Sequence, residues 1–427
     1  MNINTVYRPG IFLLNSLNLF YLMMTHKKYF LPSISVLTLF IISMIITENR
    51  KNLYGHPSNR ETICNPACQM QRTKSIKQKQ NIMFLKTHKT ASSTLQNILI
   101  RYAYNNDRFV GLPQLGHIFG MYSGASFTPS MMFPLPESGK VNMLLHHMVF
   151  DYEEVSSVLP PDSVFITILR EPATQFESAF QFFKHKNAAF GRVKHKHAMN
   201  EYLSNPSRYF KGPKDGQFWG FGKNNVFFDL GFNSLSDDNE YISESISIIE
   251  NKFDLVLIAE YFDTSLLLLK DLLGWEMNDI VYLSLNARER NTVRHLTSED
   301  IDLIYQWNKA DVAVYQHFNK TIRQRVKKYG RSRMRKDLKM FQTLKSGVTR
   351  FCVDPNICGR KELTEHKYKM FNPRGVKIAQ YKLNDQAIHN ETCQELIYPE
   401  YTWYQILLDK EYPMRFDLFS KLTSSII

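Results

Sequence analysis

Residues 81–102, NIMFLKTHKTASSTLQNILIRY, constrain the fold more than any other part of the chain. They predict a short apolar strand at 82–85, a tight polar loop, and an amphipathic helix opening near Ser92–Thr94. Leu95, Ile98, Leu99 and Tyr102 form the apolar face of that helix. The first N–H groups of a helix lack internal partners, and the helix dipole favours negative charge there. Lys86 and Lys89 add formal charge to the loop, and Thr90, Ser92, Ser93 and Thr94 add hydroxyl donors. The segment therefore reads as an anion site. It lacks the glycines of G-x-x-x-x-G-K-[ST], so it does not match an ordinary NTPase. The plain alternative is a solvated turn with incidental lysines.

Three more apolar runs repeat the strand signal. Residues 141–145 (VNMLL) end in His146-His147. Residues 163–169 (SVFITIL) end in Arg170-Glu171-Pro172, and Pro172 suits the first turn of a helix over 173–183. Residues 253–259 (FDLVLIA) precede a helix over 264–273. Continuous apolar strands separated by helices predict an α/β fold with a central parallel sheet flanked by helices. Ligands of such sheets collect beyond the carboxyl ends of the strands, where Lys86, His146, Arg170 and Glu260 fall.

A second anion site is expected at Arg170 with Ser178, eight residues on, since the 173–183 helix can turn Ser178 to the same side. Arg supplies a planar fork suited to phosphate. The alternative is an Arg170 paired with Glu171 or Glu177. Two anion sites at two strand ends suggest a ligand with two separated phosphate-like groups.

With 427 residues, 44% of them hydrophobic and 22% charged, a large core is available. The net charge of +13 fits nucleic acid, an anionic membrane surface or an anionic small substrate. No zinc finger, RNP motif or basic zipper is present, so nucleic acid is not an expected partner. Residues 29–47, YFLPSISVLTLFIISMIIT, carry no charge and match the ~30 Å hydrocarbon core. They predict a transmembrane signal-anchor after a cytosolic tail (1–28), with a lumenal catalytic region beyond. A polar stem or linker (48–80) leads to a catalytic domain (81–345) and a smaller C-terminal part (346–427). Five cysteines, two of them flanking the short loop between Cys352 and Cys358, fit disulfides better than a zinc site. The sequons at Asn319 and Asn390 fit a glycosylated lumenal domain. The basic run 323–339 reads as a solvated helix face or a linker.

Taken together, FLKTHKTASSTLQNIL, LLHHMVF, TILREPATQFESAF, FFDLGF, FDLVLIAEYFDTSLLLLKDLLGW and LNAR resemble the galactose-3-O-sulfotransferases. The resemblance runs from about residue 81 to past 319 and more thinly to the end. It implies a P-loop-like sulfotransferase fold in a single-pass type II Golgi membrane protein. The co-substrate implied is 3′-phosphoadenosine 5′-phosphosulfate (PAPS), and the acceptor is a terminal galactose on a glycolipid or glycan, sulfated at its 3-hydroxyl. Lys86, Thr87, Lys89, Thr90, Ala91, Ser92, Ser93 and Thr94 match the 5′-phosphosulfate loop. Arg170 and Ser178 match the 3′-phosphate pair.

An in-line attack by a sugar hydroxyl needs a base, and cations for the charge that builds on oxygen. His88 and the His146/His147 pair are the candidates for base and acceptor orientation, since neutral His suits that task. Lys89, or else Lys86, would meet the leaving oxygen. No metal is expected, because lysines and helix N–H groups can hold the charge. Trp219, within 217–232, is one candidate for stacking on galactose, and Arg288 or Arg290 could reach the nucleotide. A homodimer is left open. Two other classes stay in view: a kinase-like nucleotide enzyme and a non-catalytic glycan-binding protein.

Overall fold

The computed structural model describes residues 78–412, apart from 115, 121–123, 195–196, 290–291, 356–362, 364 and 372. Five strands form one wholly parallel sheet: β1 (Ile82–Leu85), β2 (Val110–Gly111), β3 (Met143–Leu144), β4 (Val164–Leu169) and β5 (Leu255–Ile258). Their order is β2-β3-β1-β4-β5. Ile82 pairs with Met143 on one side and Val164 on the other, and Ile166 pairs with Leu255. All five strands are buried throughout, as expected of a sheet covered on both faces. The chain runs to β2 and β3 on one side of β1 and to β4 and β5 on the other. The crevice beyond Leu85 is therefore the switch point where such sheets take their ligands.

The apolar run at 141–145 contributes only two strand residues. Val141 instead donates its N–H to the carbonyl of Val158, at the end of helix α2 (Tyr152–Val158, with α1 at Ser92–Asn105). The strand β2 gave no length signal. It depends on Gly111, where an added Cβ would sit 2.6 Å from Met132 Cε and 2.7 Å from Leu144 Cδ2.

After β4 come α3 (Pro172–Phe183), α4 (Asn225–Asp229) and α5 (Asn239–Lys252), and after β5 comes α6 (Phe262–Leu273). A helical layer completes the body with α7 (Ser298–Trp307), α8 (Lys309–Tyr329) and α9 (Arg331–Cys352). On α8 the buried stripe Val314, Phe318, Ile322 repeats every four residues and turns the charged residues outward. The basic run 323–339 thus covers the end of α8 and the start of α9, which Gly330 separates at φ 98°.

The C-terminal region carries α10 (Glu391–Ile397) and α11 (Glu400–Glu411). Asn97 of α1 donates to the carbonyl of Glu395, and Tyr404 donates to the carbonyl of Pro113. Cys352 forms a disulfide with Cys393, 41 residues on, not with its sequence neighbour Cys358. That bond ties the end of α9 to α10. Cys358, Cys64 and Cys68 lie outside the described residues, as do the expected span at 29–47 and all but the last three residues of the stem. Among the described residues no helix is long and apolar enough to cross a membrane.

Candidate active site

The loop between β1 and α1 is held in a strained shape by its own hydroxyls. Thr87 Oγ1 donates to the carbonyl of Ile168 at 2.5 Å and lies 2.8 Å from Thr90 Oγ1. Ser92 Oγ donates to the carbonyl of Thr87 at 2.6 Å. Thr94 Oγ1 accepts the N–H of Leu285 at 3.0 Å. Lys89 and Ala91 adopt left-handed φ values of 63° and 64°, which cost about 1–3 kcal/mol each for residues with a Cβ. Ala91 is the residue before α1, and no side chain caps that helix. A left-handed loop running into an uncapped helix start forms a concavity suited to an anion.

Three cations gather there. Lys89, Arg170 and Arg288 all line a cavity of about 690 Å³. Arg170 donates from Nε to Thr174 Oγ1 at 3.1 Å and from Nη1 to the carbonyl of Lys89 at 3.2 Å, which ties α3 to the loop. Arg288 grips the buried Glu177 carboxylate with both Nη groups. Ser178 is buried and lines the cavity beside them. Lys89 Nζ stands 3.8 Å from the centre of the Phe182 ring. Burial pushes its pKa down to about 7, and Arg170, Arg288 and Lys86 add repulsion. Glu177 opposes the shift only in part. A phosphate bound beside these groups would favour the Lys89 ammonium.

The same cavity also holds an acid–base group. His88 Nδ1 lies 2.9 Å from Asp229 Oδ1, and the His88 backbone N–H donates to Asp229 Oδ2 at 2.8 Å. A carboxylate can only accept, so Nδ1 carries the proton and Nε2 keeps its lone pair. Among the described residues Nε2 is buried and meets no partner. Asp229 ends α4, whose first N–H groups at Val226 and Phe227 are capped by the buried Asp311. Gly231 follows at φ 86°, where an added Cβ would lie 2.0 Å from the Phe150 carbonyl oxygen. The Asp229 carbonyl accepts the Phe150 N–H at 3.0 Å, so the carboxylate sits on a fixed backbone.

His147 stacks on His88 with ring centres 3.8 Å apart. Its Nδ1 lies 2.6 Å from the carbonyl of Lys86, which again leaves Nε2 as an acceptor. Burial and the nearby charge of His88 hold the His147 pKa well below the usual value. His146 points elsewhere. It is fully buried, packs edge-on against Phe119 and Tyr404, and burial lowers its pKa to about 3. It does not line the cavity.

Lys86 is also withdrawn from the cavity. Its side chain is fully buried, with Nζ 2.5 Å from Glu400 Oε2. Burial lowers the Lys86 pKa, partly opposed by Glu400. Burial raises that of Glu400, but Lys86, His117 and His146 together outweigh it and hold the carboxyl at about 2.

The structure therefore brings Lys89, Ala91, Ser92, Ser93, Thr94, Arg170, Ser178, His88 and His147 to one cavity. Thr87 and Thr90 brace the loop from within, and Lys86 and His146 lie behind it. Arg170 does not pair with Glu171 or Glu177, because Glu171 caps α3 and Glu177 holds Arg288. Trp219 borders only a small void behind His88 and His147. Arg290 lies outside the described residues. Sequence reasoning missed Asp229, although the FFDLGF run contains it, as well as His117 and Glu400. Among the described residues no group of three or more His, Cys, Asp or Glu is placed to hold a metal ion.

A cationic strand-to-helix loop sharing one cavity with a carboxylate-oriented histidine defines an α/β site for group transfer from an anionic donor. The chain belongs to the galactose-3-O-sulfotransferase family, whose sequence model matches residues 12–411. It is 34% identical over 336 residues to galactosylceramide sulfotransferase of Homo sapiens, covering 78% of each chain. It is 37% identical over 245 residues to galactose-3-O-sulfotransferase 2 of Mus musculus, covering 56% of this chain and 61% of that one. With galactose-3-O-sulfotransferase 3 of Mus musculus it shares 31% identity over 398 residues, 91% of this chain and 90% of that one.

Proposed function

We propose that this enzyme moves a sulfuryl group from PAPS to the 3-hydroxyl of a terminal galactose on a glycolipid of the galactosylceramide kind or on a glycan. The observation that carries the reading is the single cavity shared by the Lys89–Arg170–Arg288 cations and by His88, which Asp229 orients from outside it. The residues fit such a donor. The strained loop and the start of α1 suit its 5′-phosphosulfate, and Arg170 with Ser178 suits its 3′-phosphate. The fold is then of the P-loop-like sulfotransferase type.

The donor supplies an activated sulfuryl group. His88 takes the proton of the attacking hydroxyl at Nε2, and Asp229 stabilises the imidazolium that results. His147, held neutral, orients that hydroxyl through its own Nε2. Lys89, as an ammonium, meets the negative charge that grows on the departing phosphate oxygen. Lysines and backbone N–H groups supply this stabilisation, so the step as proposed draws on no metal. Phe182 and Phe183 add apolar lining to the cavity.

The cellular setting belongs to the same proposal: a single-pass type II Golgi membrane protein with its catalytic region lumenal. The uncharged residues 29–47 and the Cys352–Cys393 disulfide support it, since disulfides persist in oxidising compartments. An N-glycosidase shift assigned to Asn319 or Asn390 is the expected result, and no shift in Golgi-resident protein contradicts it. The donor assignment is tested by thermal shift. Adenosine 3′,5′-bisphosphate should stabilise the protein at concentrations where ATP does not, and equal stabilisation by both would favour a kinase-like enzyme.

A further inference from the structure

Among the described residues that line the cavity, Lys89, Arg170, Lys186, Arg288 and Lys369 are cationic and Glu400 is the one carboxylate. Glu400 is the first residue of α11, in the C-terminal region, and its side chain is 19% exposed. One oxygen takes the buried Lys86 ammonium at 2.5 Å. Among the described residues the other, Oε1, is buried and meets no donor. A carboxylate has about four lone-pair sites, so most of its accepting capacity is unused. An accepting oxygen on a carboxylate already paired with an ammonium suits a neutral ligand rich in hydroxyls.

Two aromatic side chains stand beside it. Tyr401 and Phe371 line the same cavity and are 49% and 56% exposed, among the most exposed large apolar side chains described. An exposed ring at the mouth of a polar cavity offers a face to the C–H side of a pyranose. His117 lies close enough to Glu400 to feel its charge, and His117 and His147 line the cavity with it.

We propose that the C-terminal region builds the acceptor-sugar subsite, with the Glu400 carboxylate accepting a hydrogen bond from a galactose hydroxyl and Tyr401 and Phe371 flanking the ring. This deepens the sulfotransferase reading and rests on it. Lys86 is then a positioning residue. Its Nζ fixes Glu400 and its carbonyl fixes His147, so one residue behind the loop sets two groups around the acceptor.

The test compares wild type with Glu400→Gln and Tyr401→Ala, using a soluble β-galactoside and its monodeoxy analogues. Glu400→Gln should raise the acceptor KM at least about tenfold, as expected for loss of a charged acceptor. It should leave the binding of adenosine 3′,5′-bisphosphate unchanged. Wild type should discriminate against one deoxygalactoside, and Glu400→Gln should lose that discrimination. An unchanged acceptor KM and an unchanged deoxy profile in an enzyme that still transfers sulfate would overturn the subsite alone. A wild type that neither binds the bisphosphate nor transfers sulfate would overturn the functional reading and the subsite with it. If Glu400→Gln fails to fold, Tyr401→Ala decides, because its ring is half exposed: a raised acceptor KM supports the subsite and an unchanged one overturns it.

Discussion

His88 and Asp229 are joined twice: the ring Nδ1 lies 2.9 Å from Oδ1, and the backbone N–H of His88 donates to Oδ2 at 2.8 Å. The double contact fixes both the tautomer and the ring plane. Asp229→Asn should therefore cut turnover by between about 10² and 10⁴ while leaving bisphosphate affinity near wild type. Steady-state kinetics alongside calorimetric binding measures both. A variant with ordinary turnover would remove Asp229, and the base role of His88, from the mechanism.

Lys89 gives a pH signature in binding. Its pKa is held near about 7 by burial and by Arg170, Arg288 and Lys86, with only Glu177 opposing. A bound anion favours the ammonium, so its complex binds a proton that the free protein has lost above that value. Affinity for adenosine 3′,5′-bisphosphate should thus fall as pH rises beyond about 7, by at most tenfold per pH unit. Working above pH 7 keeps the phosphates fully ionised. Calorimetry from pH 7 to 9 should show this slope in wild type and lose it in Lys89→Met. Lys89→Ala should also lower turnover on the order of 100-fold or more.

Arg170 reads a different part of the donor. Its guanidinium is tied to Thr174 and to the Lys89 carbonyl, and it lines the cavity. Arg170→Ala should raise the donor KM roughly 10- to 100-fold, the worth of a charged hydrogen bond, with a smaller effect on turnover. Wild type should discriminate against a donor lacking the 3′-phosphate, and the variant should not.

The sheet and the loop were legible because their signals are local. The apolar strands 82–85 and 163–169 and the Pro172 helix start follow from burial on both faces and from proline geometry. The placement of Lys89, Arg170 and Ser178 in one cavity follows from strand ends and from the turn of the helix after β4. What was not legible depends on contacts distant in sequence. Lys86 looked equivalent to Lys89, yet Glu400, more than 300 positions away, draws it out of the cavity. His146 and His147 are adjacent and lie beyond the two residues of β3, yet one is buried in the core and the other lines the site. Asp229 carried no motif of its own, because its role depends on the turn of α4 and on Gly231 meeting Phe150. The Cys352–Cys393 pairing spans 41 residues and has no spacing signature.

That disulfide fastens the region bearing Glu400 and Tyr401. Closing a loop of 41 residues is worth about 4 kcal/mol in the chain-entropy account. Cys393→Ser should lower thermal stability by several degrees, and a reducing agent should destabilise wild type but not the variant. Equal melting of wild type with and without reductant would contradict the pairing.

The central claim is sulfuryl transfer at a galactose 3-hydroxyl, from a cavity whose cations hold the donor and whose His88–Asp229 pair takes the proton. The most direct measurement uses PAPS labelled in the sulfuryl group and a panel of terminal β-galactosides that includes galactosylceramide. Label should pass to the galactose 3-oxygen, and Lys89→Ala and Asp229→Asn should each abolish most of that transfer. Label on another position, label passing equally well in both variants, or no transfer by a protein that binds the bisphosphate would contradict the account.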